Sequence, residues 1–290
     1  MVTEKAPVAV IIPTYNRGRA VISVVERVLA CDPLPAEIWV HIDRSDGLLE
    51  RDLKERFPGV RVLTSADRLG PGGGRHRCLM ACESAFAASF DDDSYPVDSD
   101  FFLRVEKLFV ERPQAAVFEA RIWQRDENPR TRDDSVVAVP DYVGCGHAIR
   151  LEAYRQVRGY LPRPIAFRME ESDVSLQLNA AGWKIYQTGQ LRVFHDSDLS
   201  HRESAEVTSA TITNVALYAF LHYPLIGLGW GIAQVLNIVI WHLRRGKIRG
   251  ICSGLIRIPI ECYRNRRYRK PIKWELLKSF IHFRRTVEIS

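Results

Sequence analysis

The first ninety residues alternate between short apolar runs and stretches with helical spacing. Residues 8–16, VAVIIPTYN, form a nearly continuous apolar run, as expected of a strand buried on both faces. Residues 18–30 then place apolar side chains three and four positions apart, which predicts a helix. The pattern repeats as AEIWVHID (strand), LLERDLKERF (helix), VRVLTSA (strand), RHRCLMACESAFA (helix) and the run into FDDD. Alternation at this interval predicts right-handed βαβ units and an α/β fold with a mainly parallel sheet flanked by helices.

Polar clusters follow three of these predicted strands. They are PTYNR at residues 13–17, HIDRSD at 41–46 and FDDDS at 90–94. In parallel sheets, ligands bind in the crevice outside the carboxyl ends of the strands. We therefore expect the three clusters to converge on one crevice.

The FDDDS cluster contains three consecutive carboxylates, Asp91, Asp92 and Asp93. Like charges this close repel one another, and a hard divalent cation such as Mg²⁺ or Mn²⁺ would relieve the repulsion by binding to their oxygens. The alternative is that these acids cap the helix predicted over FFLRVEKLFV at residues 101–110. Taken alone, the cluster does not decide between a metal site and a cap.

Length and composition indicate an ordinary folded protein. The chain has 290 residues, enough for one large domain or two smaller ones, and is 46% hydrophobic and 26% charged. Its six cysteines include no C-x-x-C pair, which argues against a zinc ribbon and a disulfide framework. The first seven residues, MVTEKAP, lack the features of a signal peptide, so we expect a cytoplasmic protein.

The last third of the chain differs from the rest. Residues 207–243 carry no formal charge, and residues 244–285 hold 14 Lys and Arg against two acids, a local balance of +12 within a net charge of +6. The uncharged run exceeds the ~20 residues that span a bilayer. It contains a proline, three glycines, Gln234 and Asn237, which favours broken helices against the cytoplasmic face of the membrane, held by basic residues at anionic headgroups.

We therefore predict a catalytic domain at residues 1–203 and a helical, basic, membrane-associating region at 204–290. Two alternatives stay open for the run: a helix that spans the membrane, and an ordinary apolar helical subdomain. Nucleic acid is not an expected partner, because the apolar run would have no role in binding it.

Seven ordered blocks between Val8 and His195 resemble family 2 of the inverting nucleotide-sugar glycosyltransferases, which have the GT-A fold. The blocks are VIIPTYNR, IWVHIDRSDG, GPGGGRHRCL, FDDDSYP, GCGHAIRLEAYRQVRGY, MEESDVSLQLNAAGWKIY and VFHD. One block alone is weak evidence, but seven in the family's order form a specific pattern. The C-terminal pattern is similar to bacterial rhamnosyl- or galactofuranosyl-type members that act on lipid-linked glycans.

The resemblance implies a donor site at the strand ends. Tyr15 would stack on the nucleobase and Asp43 would read the base or ribose, the alternatives being a half-buried strand-end tyrosine and a turn-forming acid. Arg75, after a glycine-rich loop that lets backbone approach the nucleotide, would meet the diphosphate, the alternative being a solvated arginine. The implied donor-binding residues are Pro13, Thr14, Tyr15, Arg17, Asp43, Arg75, Asp91 and Asp92.

The resemblance also implies a metal site and a catalytic base. Asp91, Asp93 and His195 would bind Mn²⁺ or Mg²⁺, with His201 as a second choice for the histidine. A lone histidine at a strand end is otherwise more often a hydrogen-bonded structural residue. In MEESD, Glu171 would be the base that takes the acceptor proton, although the family usually has Asp there. Glu170 and Asp173 would serve the acceptor side, with Asp173 opening the following helix, the alternative being acids that only decorate a helix N-terminus.

The implied activity is transfer of a sugar from a UDP- or dTDP-sugar to a hydroxyl of a glycan or lipid-linked acceptor in cell-envelope polysaccharide synthesis, with inversion at the anomeric carbon. Two other classes remain: a sugar nucleotidylyltransferase, and a non-catalytic membrane-surface module with a relic site. A nucleotidylyltransferase would need a glycine-rich phosphate loop after the first strand, where this chain has PTYNR.

Overall fold

A single mixed sheet organises the N-terminal two thirds of the chain. The computed structural model describes residues 5–125, 127, 131–167, 169–196 and 204–287. Its strands are β1 Ala6–Thr14, β2 Pro35–Asp43, β3 Val60–Ser65, β4 Phe86–Phe90, β5 Ser94–Pro96, β6 Ala115–Gln124, β7 Val136–Ala138, β8 Gly146–Arg150 and β9 Lys184–His195. Its helices are α1 Gly18–Leu29, α2 Leu48–Arg56, α3 Gly70–Ala81, α4 Phe101–Glu111, α5 Leu151–Arg155, α6 Glu170–Ala180, α7 Ala205–His222, α8 Leu228–Arg244, α9 Ile251–Arg264 and α10 Trp274–Val287.

The strand order is β3-β2-β1-β4-β8-β6-β9-β5, with β7 on the free side of β9. Strands β3, β2, β1 and β4 are parallel, and β6 is parallel to β9. Strand β8 runs antiparallel between β4 and β6, and β5 and β7 are antiparallel to β9. The predicted α/β class with a mainly parallel sheet is confirmed, although β8 and the short strands make the second half mixed.

Helices cover both faces of the sheet. Strand β1 is therefore buried on both sides, as its apolar run predicts. Val10 and Ile12 pack in one core with residues of α1, α2 and α4. Ala9 and Ile11 pack in a second core with residues of α3, α5 and α6. The alternation of side chains along a strand thus divides one apolar run between two layers of helices.

The glycine-rich segment GPGGG was predicted as a loop before a helix, and this prediction is wrong. Helix α3 already begins at Gly70 and includes all of these glycines. A Cβ at Gly70 would lie 1.9 Å from the carbonyl oxygen of Arg163, and a Cβ at Gly74 would lie 2.8 Å from Nδ1 of His41. Glycine is required because backbone and side chains approach the first turns of α3 closely, which outweighs its low helix propensity.

The chain divides into two compact units. The first comprises Met1–Pro164 and Val174–Ser197, and the second comprises Ile165–Asp173 and Asp198–Ser290. The predicted boundary after residue 203 falls at residues that the structure does not describe and stays a prediction.

The second unit consists mainly of helices, and it splits the uncharged run at Tyr223. Helix α7 is largely buried and packs on α8 and α9, as in an ordinary helical subdomain. Helix α8 exposes most of its apolar side chains, including Ile232 at 63% and Leu236 at 55%. Within the described residues, one helical stretch, Leu225–Arg244, is long and apolar enough to cross a membrane, with a mean hydropathy of 1.5.

Candidate active site

The three consecutive acids lie on the tight connection between β4 and β5. Strand β4 runs parallel to β1, so residues 91–93 come next to the end of β1. Strand β5 pairs with β9 so that Ser94 lies opposite His195. The alternative that these acids cap α4 is wrong, because β5 intervenes and α4 begins after Asp100.

Asp91 is held by a buried arginine. The guanidinium of Arg75, only 2% exposed, pairs with its carboxylate and also donates through Nε to the hydroxyl of Ser89 at 3.0 Å. The backbone N–H of Asp91 donates to Oγ of Ser94 at 2.7 Å, and that hydroxyl donates to the carbonyl of Cys145 at 2.7 Å. Asp91 is therefore fixed at both its backbone and its side chain.

Asp92 points into the end of β1. Its Oδ2 accepts the hydroxyl of Thr14 at 2.7 Å, and its Oδ1 accepts from Arg17 at 2.9 Å. Burial raises the pKa of Asp92 to about 6, although the hydrogen bond from Thr14 and the charge of Arg17 oppose the shift. Asp92 is thus costly to keep ionised in the absence of further positive charge.

Asp93 behaves in the opposite way. Its Oδ1 lies 3.1 Å from Nε2 of His195, and its Oδ2 accepts from Arg17 at 2.5 Å. Burial alone would raise the pKa of this carboxyl, but the contacts with His195 and Arg17 outweigh burial and lower it. Asp93 is therefore a carboxylate at neutral pH and is positioned beside an imidazole.

These contacts join residues at the ends of β1, β4 and β9, together with Arg75 of α3, into one network. Three carboxylates face two guanidiniums, those of Arg17 and Arg75, which leaves one net negative charge when the histidine is neutral. The network confirms the expected convergence of PTYNR with FDDDS. The site retains the negative charge that a bound cation would neutralise.

The cluster contains a group of side chains able to hold a metal ion. Ligand atoms of Asp91, Cys145 and His195 lie within 4.8 Å of one another. Carboxylate oxygen and imidazole nitrogen suit Mn²⁺, whereas a thiolate is a softer ligand that this ion does not favour. Asp91 and His195 therefore suit such an ion, and Asp93 contacts His195. Cys145 lies beside these ligand atoms.

Cys145 was not predicted near the site. No sequence pattern around this cysteine indicates a ligand, and none of the six cysteines forms a disulfide. It reaches the acids because Gly146 pairs with Phe90 across the antiparallel β4–β8 contact. The sequence contains the GCGH motif, but it does not indicate that this segment pairs with β4.

Tyr15 and Asp43 lie at neighbouring strand ends, outside the acid network. The guanidinium of Arg68 lies 4.6 Å from the centre of the Tyr15 ring, a cation–π contact. The carboxylate of Asp43 accepts the backbone N–H groups of Leu69 at 3.1 Å and Gly70 at 2.8 Å, and the hydroxyl of Ser65. Asp43 thus holds the start of α3, and its contact with a nucleobase stays a prediction.

The predicted acceptor-side acids belong to the second unit. Glu170 and Glu171 lie, half-buried, in the first turn of α6. The prediction that Asp173 opens this helix is wrong, because α6 begins three residues earlier. Asp173 is buried and pairs with Nε2 of His222, so within this unit it anchors α6 to α7. His201 lies outside the described residues.

The profile of Glycosyl transferase family 2 matches residues 9–170, more than half of the chain. The chain belongs to this family. A comparison with curated proteins finds no match.

Solved structures show the same fold at low sequence identity. GalNAc-T7 with UDP, GalNAc and Mn²⁺ is similar over 75% of this chain and 48% of that one, with a TM-score of 0.60 and 16% identity. TarS 1–349 of S. aureus with UDP-GlcNAc is similar over 81% and 72%, with a TM-score of 0.56 and 16% identity. The mannosyltransferase PcManGT from Pyrobaculum calidifontis with GDP-Man and Mn²⁺ is similar over 92% and 89%, with a TM-score of 0.57 and 12% identity.

The chain therefore spans about half the length of GalNAc-T7. At these identities the likeness concerns the fold, and it agrees with the GT-A fold implied by the sequence. Together with the family profile, it identifies the chain as a glycosyltransferase of the GT-A type.

Proposed function

We propose that this glycosyltransferase is metal-dependent and inverting, and moves a sugar from a nucleoside diphosphate to a hydroxyl of a glycan or lipid-linked acceptor. The observation that carries the proposal is the network at the strand ends, where Asp91, Asp92 and Asp93 meet His195 and Arg17. A structural core gains little from three adjacent carboxylates with net negative charge. A bound cation would neutralise the excess negative charge, and a diphosphate would bind to that cation and to Arg17.

The donor binds at the carboxyl ends of β1, β2 and β4. Tyr15 stacks on the nucleobase, with the backbone of Pro13 and Thr14 beside it, while Asp43 reads the base or ribose. The guanidinium of Arg68 lies over one face of the Tyr15 ring. The base therefore stacks on the other face, or Arg68 moves away when the donor binds. Arg17 and Arg75 supply positive charge toward the diphosphate, and Asp92 fixes Arg17 and the end of β1.

Asp91, Asp93 and His195 hold the divalent cation. When bound, the ion stabilises the negative charge that develops on the departing diphosphate. Mn²⁺ is favoured over Mg²⁺ because an imidazole belongs to the set and because GalNAc-T7 and PcManGT were crystallised with Mn²⁺. The acids also orient Arg17, whose side chain is 46% exposed and can therefore reach the diphosphate oxygens, whereas the buried Arg75 acts by holding Asp91.

Glu171 acts as the general base. The acceptor hydroxyl attacks the anomeric carbon from the face opposite the nucleotide, and its proton passes to the Glu171 carboxylate. The bond between the anomeric carbon and the diphosphate oxygen breaks, and its electron pair stays on that oxygen. One displacement inverts the anomeric configuration. Glu170 contacts the acceptor, and Asp173 positions this segment through its pairing with His222.

The second unit supports association with a membrane. Apolar side chains are exposed along α8 and α9, including Ile232 at 63% and Ile256 at 68%, and basic residues follow from the end of α8 at Arg244 and lie on α9 at Arg257 and Arg264. An exposed apolar face with flanking basic residues is typical of a helix that lies on an anionic membrane. We infer a peripheral enzyme on the inner face of the plasma membrane that builds cell-envelope polysaccharide, with rhamnosyl or galactofuranosyl transfer as the specific proposal.

Incubating the full chain with UDP- and dTDP-sugars tests the proposed function. We expect release of nucleoside diphosphate with Mn²⁺ and none after chelation with EDTA. In parallel, UDP with Mn²⁺ should raise the melting temperature more than either alone, because a ligand of the folded state stabilises it by mass action. Turnover unaffected by EDTA, or equal stabilisation without Mn²⁺, would contradict the metal site.

A further inference from the structure

The second unit contains a cavity that the donor chemistry does not use. Its volume is about 420 Å³, within the usual range of small-molecule sites. The walls come from α7, α8 and α10, with Ser172 of α6 and Tyr223 completing them. Ser172 directly follows Glu171 in the sequence, so the cavity adjoins the segment to which we assign the base.

Several polar groups that line this cavity have no partner among the described residues. Tyr223 donates its hydroxyl to Oε1 of Gln234 at 3.1 Å, which leaves the amide N–H groups of Gln234 without a partner among the described residues. The side chains of Ser172, Asn237 and Arg285 also have no partner within the described part of the chain. Asn237 and Arg285 are exposed and Ser172 and Gln234 are partly buried, so these donors are open to a ligand that accepts hydrogen bonds.

The charge of the cavity is positive. Arg284 and Arg285 line it, and none of its lining residues is acidic. The charge of Arg284 reaches the hydroxyl of Tyr223, where it opposes the rise that burial causes in the pKa of that phenol. Two guanidiniums beside amide and hydroxyl donors match the oxygens of a phosphate or diphosphate.

Helix α8 presents different faces to the cavity and to solvent. Gln234 and Asn237, three positions apart, line the cavity, whereas the exposed side chains of Ile232, Leu236 and Ile240 are not part of its wall. The two polar residues that interrupt the apolar run therefore belong to the cavity wall. A ligand bound here would lie beside the apolar surface of α8, and Ile238 is the apolar residue of this helix that lines the cavity.

We propose that this cavity binds the phosphate or diphosphate headgroup of a lipid-linked acceptor, whose hydrocarbon chain lies along the apolar face of α8. The proposal rests on the proposed function and names its acceptor class. Arg284 and Arg285 bind the phosphate oxygens, and Ser172, Gln234 and Asn237 donate to them. The acceptor is thereby anchored by a segment contiguous with Glu171.

Farnesyl phosphate in detergent solution is a suitable probe, with inorganic phosphate and farnesol as its two halves. Isothermal titration with the full chain should give binding to farnesyl phosphate that is at least tenfold tighter than to either half. An affinity for inorganic phosphate equal to that for farnesyl phosphate would identify a site for free anions. An equal affinity for farnesol would identify a nonspecific hydrophobic surface. Either result would overturn the proposal.

Two variants test the residues. Arg284→Gln with Arg285→Gln should weaken farnesyl phosphate binding by tenfold or more, and Asn237→Asp should weaken it similarly by placing a negative charge in the cavity. Arg266→Gln with Arg267→Gln removes the same charge from exposed positions outside the cavity and should leave the affinity within twofold. Equal losses in both arginine pairs would mean that general positive charge binds the probe, which contradicts a built site.

Donor turnover separates this proposal from the proposed function. The Arg284/Arg285 variant should still hydrolyse the nucleotide sugar with Mn²⁺, because the donor site lies in the first unit. If wild type turns over the donor but does not bind farnesyl phosphate, the cavity assignment fails alone. If wild type binds farnesyl phosphate but no donor is turned over, the proposed function fails and the cavity remains an anionic-lipid site.

Discussion

The two units of this glycosyltransferase differ in how much large apolar surface they expose and in the ion-pair network that the first unit buries. In the first unit, Arg75 and Asp92 are 2% and 7% exposed, although burying charge is costly. In the second unit, Ile232 and Ile256 are 63% and 68% exposed, although exposing large apolar groups forgoes the stabilisation that burial gives. Exposed large apolar residues are denser in the second unit, whereas both units bury acids, since Asp173 and Glu261 of the second unit are 1% and 7% exposed.

This contrast indicates where each unit meets its ligands. Buried carboxylates with shifted pKa values, such as Asp92, are common at reactive sites because the site is built for charge that arrives with the substrate. Exposed apolar residues in a continuous set are common at surfaces that meet another apolar phase. This contrast is what the proposed function requires, in which the first unit binds a charged donor and the second meets a lipid phase.

The largest expected effect is on turnover, from Asp93→Asn. Asparagine keeps the size of the side chain and an acceptor for Arg17, but removes the charge that faces His195 and the cation. We expect turnover to fall about a thousandfold, the scale of losing a preorganised electrostatic contact. Nucleoside diphosphate release at saturating donor measures it, and the melting temperature should change little because Arg17 is half exposed and also pairs with Asp92.

The matched control is Asp52→Asn on α2, an exposed acid paired with Arg56. It should keep wild-type turnover. An Asp93→Asn enzyme as active as the control would remove Asp93 from the site.

The second prediction compares isoleucines between the units. Ile12 is fully buried in β1, so Ile12→Ala should lower the free energy of unfolding by about 3 kcal/mol. Ile232→Ala should change it by less than about 0.5 kcal/mol in detergent-free buffer, because the side chain is already exposed. Urea unfolding checks both values. A large loss from Ile232→Ala would show that α8 is covered in solution, against the proposed lipid-facing surface.

The third prediction separates two roles of Asp43. Removing the carboxylate in Asp43→Ala leaves the N–H groups of Leu69 and Gly70 without their acceptor, so stability should fall by about 2 kcal/mol. If Asp43 also reads the nucleotide, the KM for the donor rises in the same variant. Unchanged stability with a raised KM would mean that the carboxylate serves only the donor and that α3 does not depend on it.

The smallest expected effect concerns membrane charge. Arg257, exposed on α9, should contribute about 1 kcal/mol to binding of anionic vesicles, so Arg257→Gln should weaken partitioning about fivefold. Sedimentation with phosphatidylglycerol vesicles measures this, and phosphatidylcholine vesicles should show no difference. Arg56→Gln in the first unit is the control. Equal losses from both substitutions would indicate attraction by net charge rather than by this surface.

The sequence predicted the regular part of the first unit well because burial there has a simple period. Strands β1 to β3 and helices α1 and α2 agree with the predicted segments within about two residues. The start of α3 was missed because five of its first residues are poor helix formers, and contacts with Arg163 and His41 override local preference. Those contacts join residues far apart in the chain, so no local pattern reports them.

The candidate site was predicted in part. The meeting of Asp93 with His195 was implied by the family pattern, and the meeting of Arg17 with the acids followed from the ends of parallel strands. Cys145 and Arg68 were not anticipated. Cys145 depends on an antiparallel strand inserted beside β4, and Arg68 on a loop after β3, and neither placement follows from hydrophobic periodicity.

The contrast between the units also revises the interpretation of the uncharged run. Composition alone treated residues 207–243 as one segment, yet α7 is a buried helix and α8 an exposed one. The sequence separates them at Tyr223 and Pro224, but burial depends on which helices pack against each face. A hydropathy window averages over that difference.

Electron paramagnetic resonance of Mn²⁺ in the presence of UDP tests the central claim most directly, because the signal of the free aqua ion falls when the ion binds. The account predicts that the wild-type chain binds one Mn²⁺ and that Asp93→Asn and His195→Gln each weaken it at least tenfold, while Asp52→Asn does not. Wild-type affinity in both site variants, or no bound Mn²⁺ in the wild-type chain, would contradict the assignment of these residues to a cation that serves the sugar donor.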